Sequence, residues 1–68
     1  MRRVLLYTDE DGMWIAEVPS LPGCSSFGDT RAAALSQVKE AIEVYIEALE
    51  ADNLPIPPDL DNVELATV

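Results

Sequence analysis

Two short runs of mostly apolar residues lie near the start of the chain, with a polar tetrapeptide between them. The runs are RVLLYT at residues 3–8 and MWIAEV at residues 13–18, and the tetrapeptide is DEDG at residues 9–12. Branched and aromatic side chains favour strands, and an Asp-Gly pair supplies the positive φ that a hairpin loop needs. The pattern therefore predicts two antiparallel strands. Residues 4–7 are all apolar, so we expect apolar surface on both faces of the first strand, more than one helix can cover.

The next segment, PSLPGCSSFGDT at residues 19–30, contains two prolines and two glycines. Pro19 is expected to end the second strand because it has no amide donor. Pro22 and Gly23 match the central pair of a type II turn, which requires a positive φ at its third residue. The start of this segment is therefore predicted to be a turn.

A short third strand, CSSFG at residues 24–28, is predicted to follow the turn. Alternation places Phe27 on one face of this strand and Cys24 on the other, and both are expected to pack in the core. Asp29 or Thr30 is expected to cap the helix that comes next, because short polar side chains accept hydrogen bonds from the first free amides of a helix.

The most regular pattern spans residues 31–52, which contain no proline or glycine. Apolar residues recur there at the three-to-four spacing of one helical face, and acidic residues hold the opposite side. The apolar face comprises Ala34, Val38, Ala41, Ile42, Tyr45, Ala48 and Leu49. The segment therefore predicts one long amphipathic helix.

Three prolines beyond the helix, at positions 55, 57 and 58, exclude helix and predict an extended connection. VELAT, at residues 63–67, alternates like a strand. It can return beside the first strand, fray as a terminus, or pair with another subunit. We therefore predict an α+β fold in which one long helix lies on one face of a three- to four-stranded antiparallel sheet, in β-β-β-α-β order.

Length and surplus apolar surface together predict self-association. A chain of 68 residues forms one domain, residues 1–68, with a core that is marginal on its own. Apolar surface that the helix does not cover is expected to meet another chain, and Trp14, Val44, and Val4 or Leu6 are the candidates. A homodimer or higher oligomer is the simplest such arrangement.

The chain is strongly acidic, with 13 acidic and 4 basic residues and a net charge of −9. This charge repels phosphate backbones, so direct binding of nucleic acid is not expected, whereas a basic protein would be attracted. Glu43, Glu47 and Glu50 are candidate contacts for such a partner; ordinary solvated surface is the alternative interpretation.

The residues offer little for catalysis. The absence of histidine removes Ser-His-Asp and Cys-His chemistry and the commonest zinc ligand, so Cys24 has no activating base. Asp9, Glu10 and Asp11 are expected to form a turn rather than a metal site, since a metal-dependent nuclease needs carboxylates from separate elements in a pocket. No catalytic, cofactor-binding or metal-binding residue is assigned.

A single cysteine allows no internal disulfide, which fits a reducing compartment. The apolar run at residues 4–7 is shorter than the roughly 7 to 15 residues of a signal-peptide core. We therefore expect a cytoplasmic protein that does not associate with membranes.

Two segments together resemble a known family: VPSLPGCSSFGDT at residues 18–30 and YIEALEADNLPIP at residues 45–57. They are similar to the N-terminal domain of HicB-like antitoxins of bacterial and archaeal toxin-antitoxin systems. The residues that carry the resemblance are Pro19, Leu21, Pro22, Gly23, Cys24, Gly28, Asp29, Thr30, Pro55, Ile56 and Pro57.

The resemblance implies a partial, degenerate ribonuclease H-like fold without that enzyme's catalytic acids. It also implies a non-enzymatic, protein-binding role, in which the domain covers HicA, a small basic ribonuclease toxin that cleaves messenger RNA. Members of the family bind operator DNA through a separate C-terminal segment. Only residues 59–68 follow the prolines here, so no C-terminal DNA-binding domain is expected in this chain.

One further departure is the stretch after Thr30, where residues 31–34 read Arg-Ala-Ala-Ala and family members commonly carry acidic residues. The leading hypothesis is an antitoxin-like module that masks a basic HicA-type toxin. The alternative is a solitary self-associating domain of unknown role without a toxin partner; a small ligand bound between subunits is one form that this alternative can take.

Overall fold

A computed structural model describes all of residues 1–68. It contains three strands and one helix, which are β1 (Leu5–Thr8), β2 (Trp14–Glu17), β3 (Ser25–Gly28) and α1 (Arg31–Ala51). The strands form one antiparallel sheet in the order β1-β2-β3, and α1 packs on one of its faces. The predicted α+β class is confirmed, with a sheet of three strands.

The β1–β2 hairpin closes through the acidic tetrapeptide. The Gly12 amide donates to the Asp9 carbonyl at 3.1 Å, and Gly12 has a φ of 80°, as the hairpin loop requires. Asp9 Oδ1 accepts hydrogen bonds from the Asp11 and Met13 amides, both at 2.9 Å. The Asp9 carboxylate thus stabilises the loop, as an Asx turn does.

The turn between β2 and β3 has the predicted type II geometry. The Cys24 amide donates to the Leu21 carbonyl at 3.0 Å, and Gly23 at the third position has a φ of 80°. The Val18 amide donates to the Cys24 carbonyl at 3.0 Å, which connects the ends of the loop. The fully buried Leu21 side chain is thereby fixed in the core.

Both ends of α1 are capped by their own sequence. Of the two candidates for the N-cap, Thr30 takes the position, and its Oγ1 accepts from the Ala33 amide at 3.0 Å. At the other end Asn53 has a φ of 55°, and the Leu54 amide donates to the Leu49 carbonyl at 2.9 Å. This is a Schellman motif, in which asparagine takes the left-handed position that glycine usually occupies.

The core lies between α1 and the sheet and is built mostly from small side chains. Trp14 and Leu6 are among the partly buried side chains that extend it along the helix-facing side of the sheet. Its fully buried apolar members are Ala16, Val18, Leu21, Cys24, Ala34 and Val38. So small a core is marginal for a single layer of helix on a single layer of sheet.

The segment at residues 63–67 does not form the fourth strand. It is exposed along its length, and β1 remains an edge strand with no neighbour on its outer side. Among the three outcomes that the sequence left open, the structure shows an unpaired terminus. Alternation alone could not decide this point, since the strand also needs a partner edge within reach.

The chain nevertheless returns to the start of β1 after the prolines. The backbone amide of Arg3 donates to Asp59 Oδ2 at 3.0 Å, and the Arg3 guanidinium pairs with the same oxygen at 3.3 Å. The guanidinium also donates to the Leu60 carbonyl. The extended segment is therefore fastened at Asp59, and the residues beyond it are exposed.

This contact predicts a pH dependence of the C-terminal segment. Burial raises the pKa of the Asp59 carboxyl, but polar groups around it outweigh burial and hold the pKa below its usual value: first the Arg3 backbone amide, then the Leu60 amide, the Ser20 hydroxyl and the charge of Arg3. A lowered pKa means that the contact stabilises the folded chain above the unfolded pKa of about 3.9 and is lost as the pH falls through the folded pKa. We expect an NMR titration of the Asp59 carboxyl to show a midpoint below about 3.9. A midpoint at or above that value would contradict the contact, and Asp59→Asn serves as the control without a titrating group.

Candidate protein-binding surfaces

The outward face of α1 carries a ridge of carboxylates. Glu40, Glu43, Glu47 and Glu50 are all exposed, and their three- and four-residue spacing places them along one side of the helix. The ion pair of the chain lies elsewhere, between Arg3 and Asp59, so none of these carboxylates forms an ion pair within the chain.

An exposed apolar side chain interrupts the acidic ridge. Val44 is 65% exposed and lies among the carboxylates. It also borders a shallow groove of about 430 Å³ between α1 and the edge of the sheet at β3, together with Glu40, Ser26 and Tyr45. This groove, which we call the β3 groove, offers an apolar floor beside a carboxylate.

Tyr45 fixes the width of the β3 groove. Its hydroxyl donates to the Pro22 carbonyl at 2.9 Å, which ties α1 to the type II turn. The side chain is partly buried against the core, so the groove is formed within this chain and needs no partner to shape it. Such a preformed surface reduces the ordering cost of binding.

Of the side chains predicted to meet a partner, the structure brings four together on α1, whereas Trp14, Val4 and Leu6 are partly buried against the core. Glu43, Val44, Glu47 and Glu50 share the outward face of α1. Trp14 lies on the helix-facing side of β2, opposite Gly28, and is partly buried against the core. It therefore belongs to the other end of the molecule, and its role at an interface stays a prediction.

The motif between β2 and α1 has structural roles. Pro19 follows β2, and Pro22 and Gly23 form the turn. Asp29 is exposed and precedes the helix cap at Thr30. At Gly28 the backbone of β3 lies very close to α1. Cys24 is buried, and burial raises the pKa of its thiol. The positive charge of Arg2 lowers this pKa, but by less than burial raises it. A buried thiol with a raised pKa is a poor nucleophile.

Phe27 does not pack in the core as the sequence suggested. It is 65% exposed, because alternation along β3 directs it to the face of the sheet opposite α1. Pairing places it beside Ile15, and Ile15 beside Tyr7. The expectation was wrong because it counted apolar residues without asking which layer covers each face.

The face opposite α1, which we call the outer sheet face, carries the uncovered apolar surface that was expected on the first strand, but sequence reasoning did not identify the residues that form it. Leu5, Tyr7, Ile15 and Phe27 share it by register. Its charged member, Glu17, accepts a hydrogen bond from the Tyr7 hydroxyl at 2.7 Å. That hydrogen bond is the main reason why the pKa of Tyr7 is raised. The signal was available in the odd-numbered positions of the first two strands.

A second groove lies on the opposite flank of α1, beside β1. It measures about 470 Å³ and is mostly apolar, with Val4, Leu35 and Ile42 in its wall. Arg2 and Lys39 also line it, as does Glu43 of the acidic ridge, so this groove carries charges of both signs.

The structure contains neither a metal-binding cluster nor a membrane-spanning helix. No three cysteine, aspartate or glutamate side chains come close enough together to hold a metal ion. Although α1 has 21 residues, it is not apolar enough to cross a membrane.

Comparison with known proteins gives a consistent assignment. The profile of the HicB_like antitoxin of bacterial toxin-antitoxin systems matches residues 3–67. A UPF0150 protein of Thermoplasma acidophilum is 48% identical over 65 residues, which cover 96% of this chain and 91% of that protein. A UPF0150 protein of Synechocystis is 46% identical over 56 residues, which cover 82% of this chain and 71% of the relative. No solved structure matches the chain. This chain belongs to the HicB-like antitoxin family, which points to a non-catalytic, regulatory role.

Proposed function

We propose that this chain is the antitoxin of a toxin-antitoxin pair and that it masks a small basic ribonuclease of the HicA type, which cleaves messenger RNA. Membership of the HicB-like antitoxin family supports a toxin partner in general. The observation that carries the finer proposal is the acidic ridge on α1, whose carboxylates form no ion pair within the chain. The pair acts in the cytoplasm, where its RNA substrate is.

Charge favours a basic partner at this surface in two ways. The net charge of −9 attracts a cationic protein over a distance and raises the rate of encounter. Glu47 and Glu50 lie near the C-terminal end of α1, where the helix dipole disfavours a carboxylate by about 0.3 to 1 kcal/mol. A bound arginine or lysine offsets this cost, so the free surface is predisposed to take up cations.

Shape supplies the rest of the binding surface. Val44 and the β3 groove offer an apolar site beside Glu40. This arrangement suits an apolar side chain of the partner that has an arginine next to it, because the arginine can then pair with Glu40. Arginine binds carboxylates through two parallel hydrogen bonds, so carboxylates at helical spacing fix its position. Apolar contact at the centre of a patch with charges around it is the usual arrangement of a protein interface.

The mechanism of inhibition is occupation of the toxin's basic surface. A ribonuclease binds the phosphates of RNA through lysine and arginine, and these are the side chains that the acidic ridge attracts. Once the antitoxin covers them, RNA loses its binding site, and the toxin is silenced without any chemical step by this chain.

Removing charge from the acidic ridge tests the proposal. The variant Glu43→Gln/Glu47→Gln/Glu50→Gln keeps the size of each side chain, and we expect it to bind the HicA-type toxin encoded next to its gene about 10- to 100-fold more weakly at low salt. The measurement is calorimetric titration, together with protection of an RNA substrate from cleavage.

A matched control separates the ridge from net charge. Glu10→Gln/Asp61→Asn/Glu64→Gln also removes three exposed negative charges, but none from α1. We expect it to bind nearly as well as the unmodified chain. Equal loss of affinity in both triple variants, or no loss in either, would refute the assignment to the acidic ridge.

A further inference from the structure

The outer edge of β3 is an unpaired sheet edge that lies beside the β3 groove. β3 is the last strand in the order β1-β2-β3, so only one of its two edges is hydrogen-bonded to another strand. Proteins commonly protect a free edge with lysine, with proline or with a bulge. β3 reads Ser-Ser-Phe-Gly and pairs with β2 one residue to one, so it has none of these protections. The edge is therefore open to a further strand.

The register identifies the backbone groups that face this free edge. The Val18 amide donates to the Cys24 carbonyl, so the Cys24 carbonyl points toward β2. Along an antiparallel strand, residues whose backbone groups face the neighbouring strand alternate with residues whose groups face away from it. Ser26 therefore faces β2, whereas the amides and carbonyls of Ser25 and Phe27 face outward. These donors and acceptors are free to pair with an added strand.

The side chains around the edge indicate what kind of segment pairs with it. A residue added opposite Ser26 points to the same side of the sheet as Ser26, which lines the β3 groove with Glu40, Val44 and Tyr45. A lysine or arginine at that position lays its methylene stem along the apolar floor of the groove and brings its charge to Glu40. The edge and the groove together therefore suit an extended segment that carries a cation.

Two other pairings suit the charges less well. Each copy of this chain has a net charge of −9, and pairing β3 with the β3 of a second copy would place both Glu40 side chains along one seam. The free edge of β1 is a poorer site for a basic segment, because Arg2 and Lys39 line the groove beside it. A basic strand is thus directed to β3.

We propose that the toxin docks by adding an extended basic segment to the free edge of β3, with a lysine or arginine directed into the β3 groove. This inference rests on the proposed function and adds how the partner is held. The backbone of the segment pairs with Ser25 and Phe27, while the acidic ridge takes up charges beside it. In such strand addition, backbone hydrogen bonds supply affinity and the groove selects the side chain.

Amide hydrogen exchange tests the pairing without any substitution. It is measured by NMR on the free chain and on its complex with the HicA-type toxin encoded next to its gene. We expect the Ser25 and Phe27 amides to exchange about 10-fold or more slowly in the complex, because each gains a hydrogen bond. The Ser26 amide faces β2 in both states and is the internal control. A complex in which the Ser25 and Phe27 amides exchange as fast as in the free chain would overturn the inference.

A proline at position 27 tests the backbone hydrogen bond itself. Phe27→Pro removes the outward amide donor, and proline is tolerated at an edge position whose amide makes no bond within the sheet. Phe27→Ala is the matched control, because it loses the same exposed side chain and keeps the amide. With both variants folded by circular dichroism, we expect Phe27→Pro to bind the toxin about 10-fold more weakly than Phe27→Ala in a calorimetric titration. Equal affinities would contradict strand addition.

The outcomes separate this inference from the proposed function. A chain that binds the toxin while its Phe27 amide stays unprotected masks the toxin through another surface, and only the pairing at β3 is then wrong. A chain that does not bind the toxin at low salt contradicts the proposed function, and the docking mode fails with it.

Discussion

Replacing Leu21 with alanine is expected to leave the chain largely unfolded at room temperature. Leu21 is fully buried and, with Val38, is one of the two largest side chains removed completely from solvent. A buried leucine-to-alanine change costs about 2 to 5 kcal/mol, through lost burial and the cavity that remains. A single core in a chain this short rarely supplies more than about 3 to 5 kcal/mol, so the change consumes most of the stability.

The measurement for Leu21→Ala is urea unfolding followed by circular dichroism, with both proteins at the same chain concentration. Leu65→Ala is the control, since Leu65 is 86% exposed and its truncation is expected to change little. A variant at position 21 that unfolds at the same urea concentration as the unmodified chain would show that Leu21 is not part of the core.

Replacing Gly28 with alanine is expected to destabilise the fold by about 1 to 3 kcal/mol, the range for added volume in a packed site. A methyl group at this position would lie 2.6 Å from the Ala34 amide nitrogen and 2.8 Å from atoms of Ala33. Two of these atoms belong to the helix backbone, which cannot turn aside as a flexible side chain can. The added carbon must therefore push the first turn of α1 away from β3.

Ser25→Ala is the control for Gly28→Ala, because Ser25 lies at the exposed start of the same strand. It is expected to unfold within about 0.5 kcal/mol of the unmodified chain. Equal stability of Gly28→Ala and Ser25→Ala would show that β3 and α1 are not in close contact at this point.

Local chemistry explains the parts of the fold that could be predicted. The hairpin at Gly12, the type II turn at Gly23 and the cap at Thr30 each depend on residues within four positions of one another. The helix follows from a spacing that repeats along the whole segment. Such signals are present in the sequence because the interactions that produce them are short-range.

The parts that could not be predicted depend on distant residues. Arg3 and Asp59 are 56 positions apart, and nothing in either neighbourhood indicates the contact. The exposure of Phe27 depends on which face of the sheet receives α1, and the unpaired state of residues 63–67 depends on the edge of β1. Composition alone shows none of these choices.

The candidate surface divides in the same way. Helical spacing was sufficient to bring Val44 together with the carboxylates of α1. It was not sufficient for Trp14, because that residue's position is set by strand pairing with Gly28. Uncovered apolar surface was expected on the first strand, but the residues of the outer sheet face were not identified, since its four apolar side chains come from three different strands.

The mass of the complex with a HicA-type ribonuclease tests the account most directly. Sedimentation velocity of an equimolar mixture at low salt is predicted to show this chain and the toxin in one complex, and the same sample is predicted to leave RNA uncut. Adding salt is predicted to release the toxin, because screening weakens the attraction between the acidic ridge and a basic surface. Toxin and chain that sediment separately at low salt, with RNA cleavage undiminished, would contradict it.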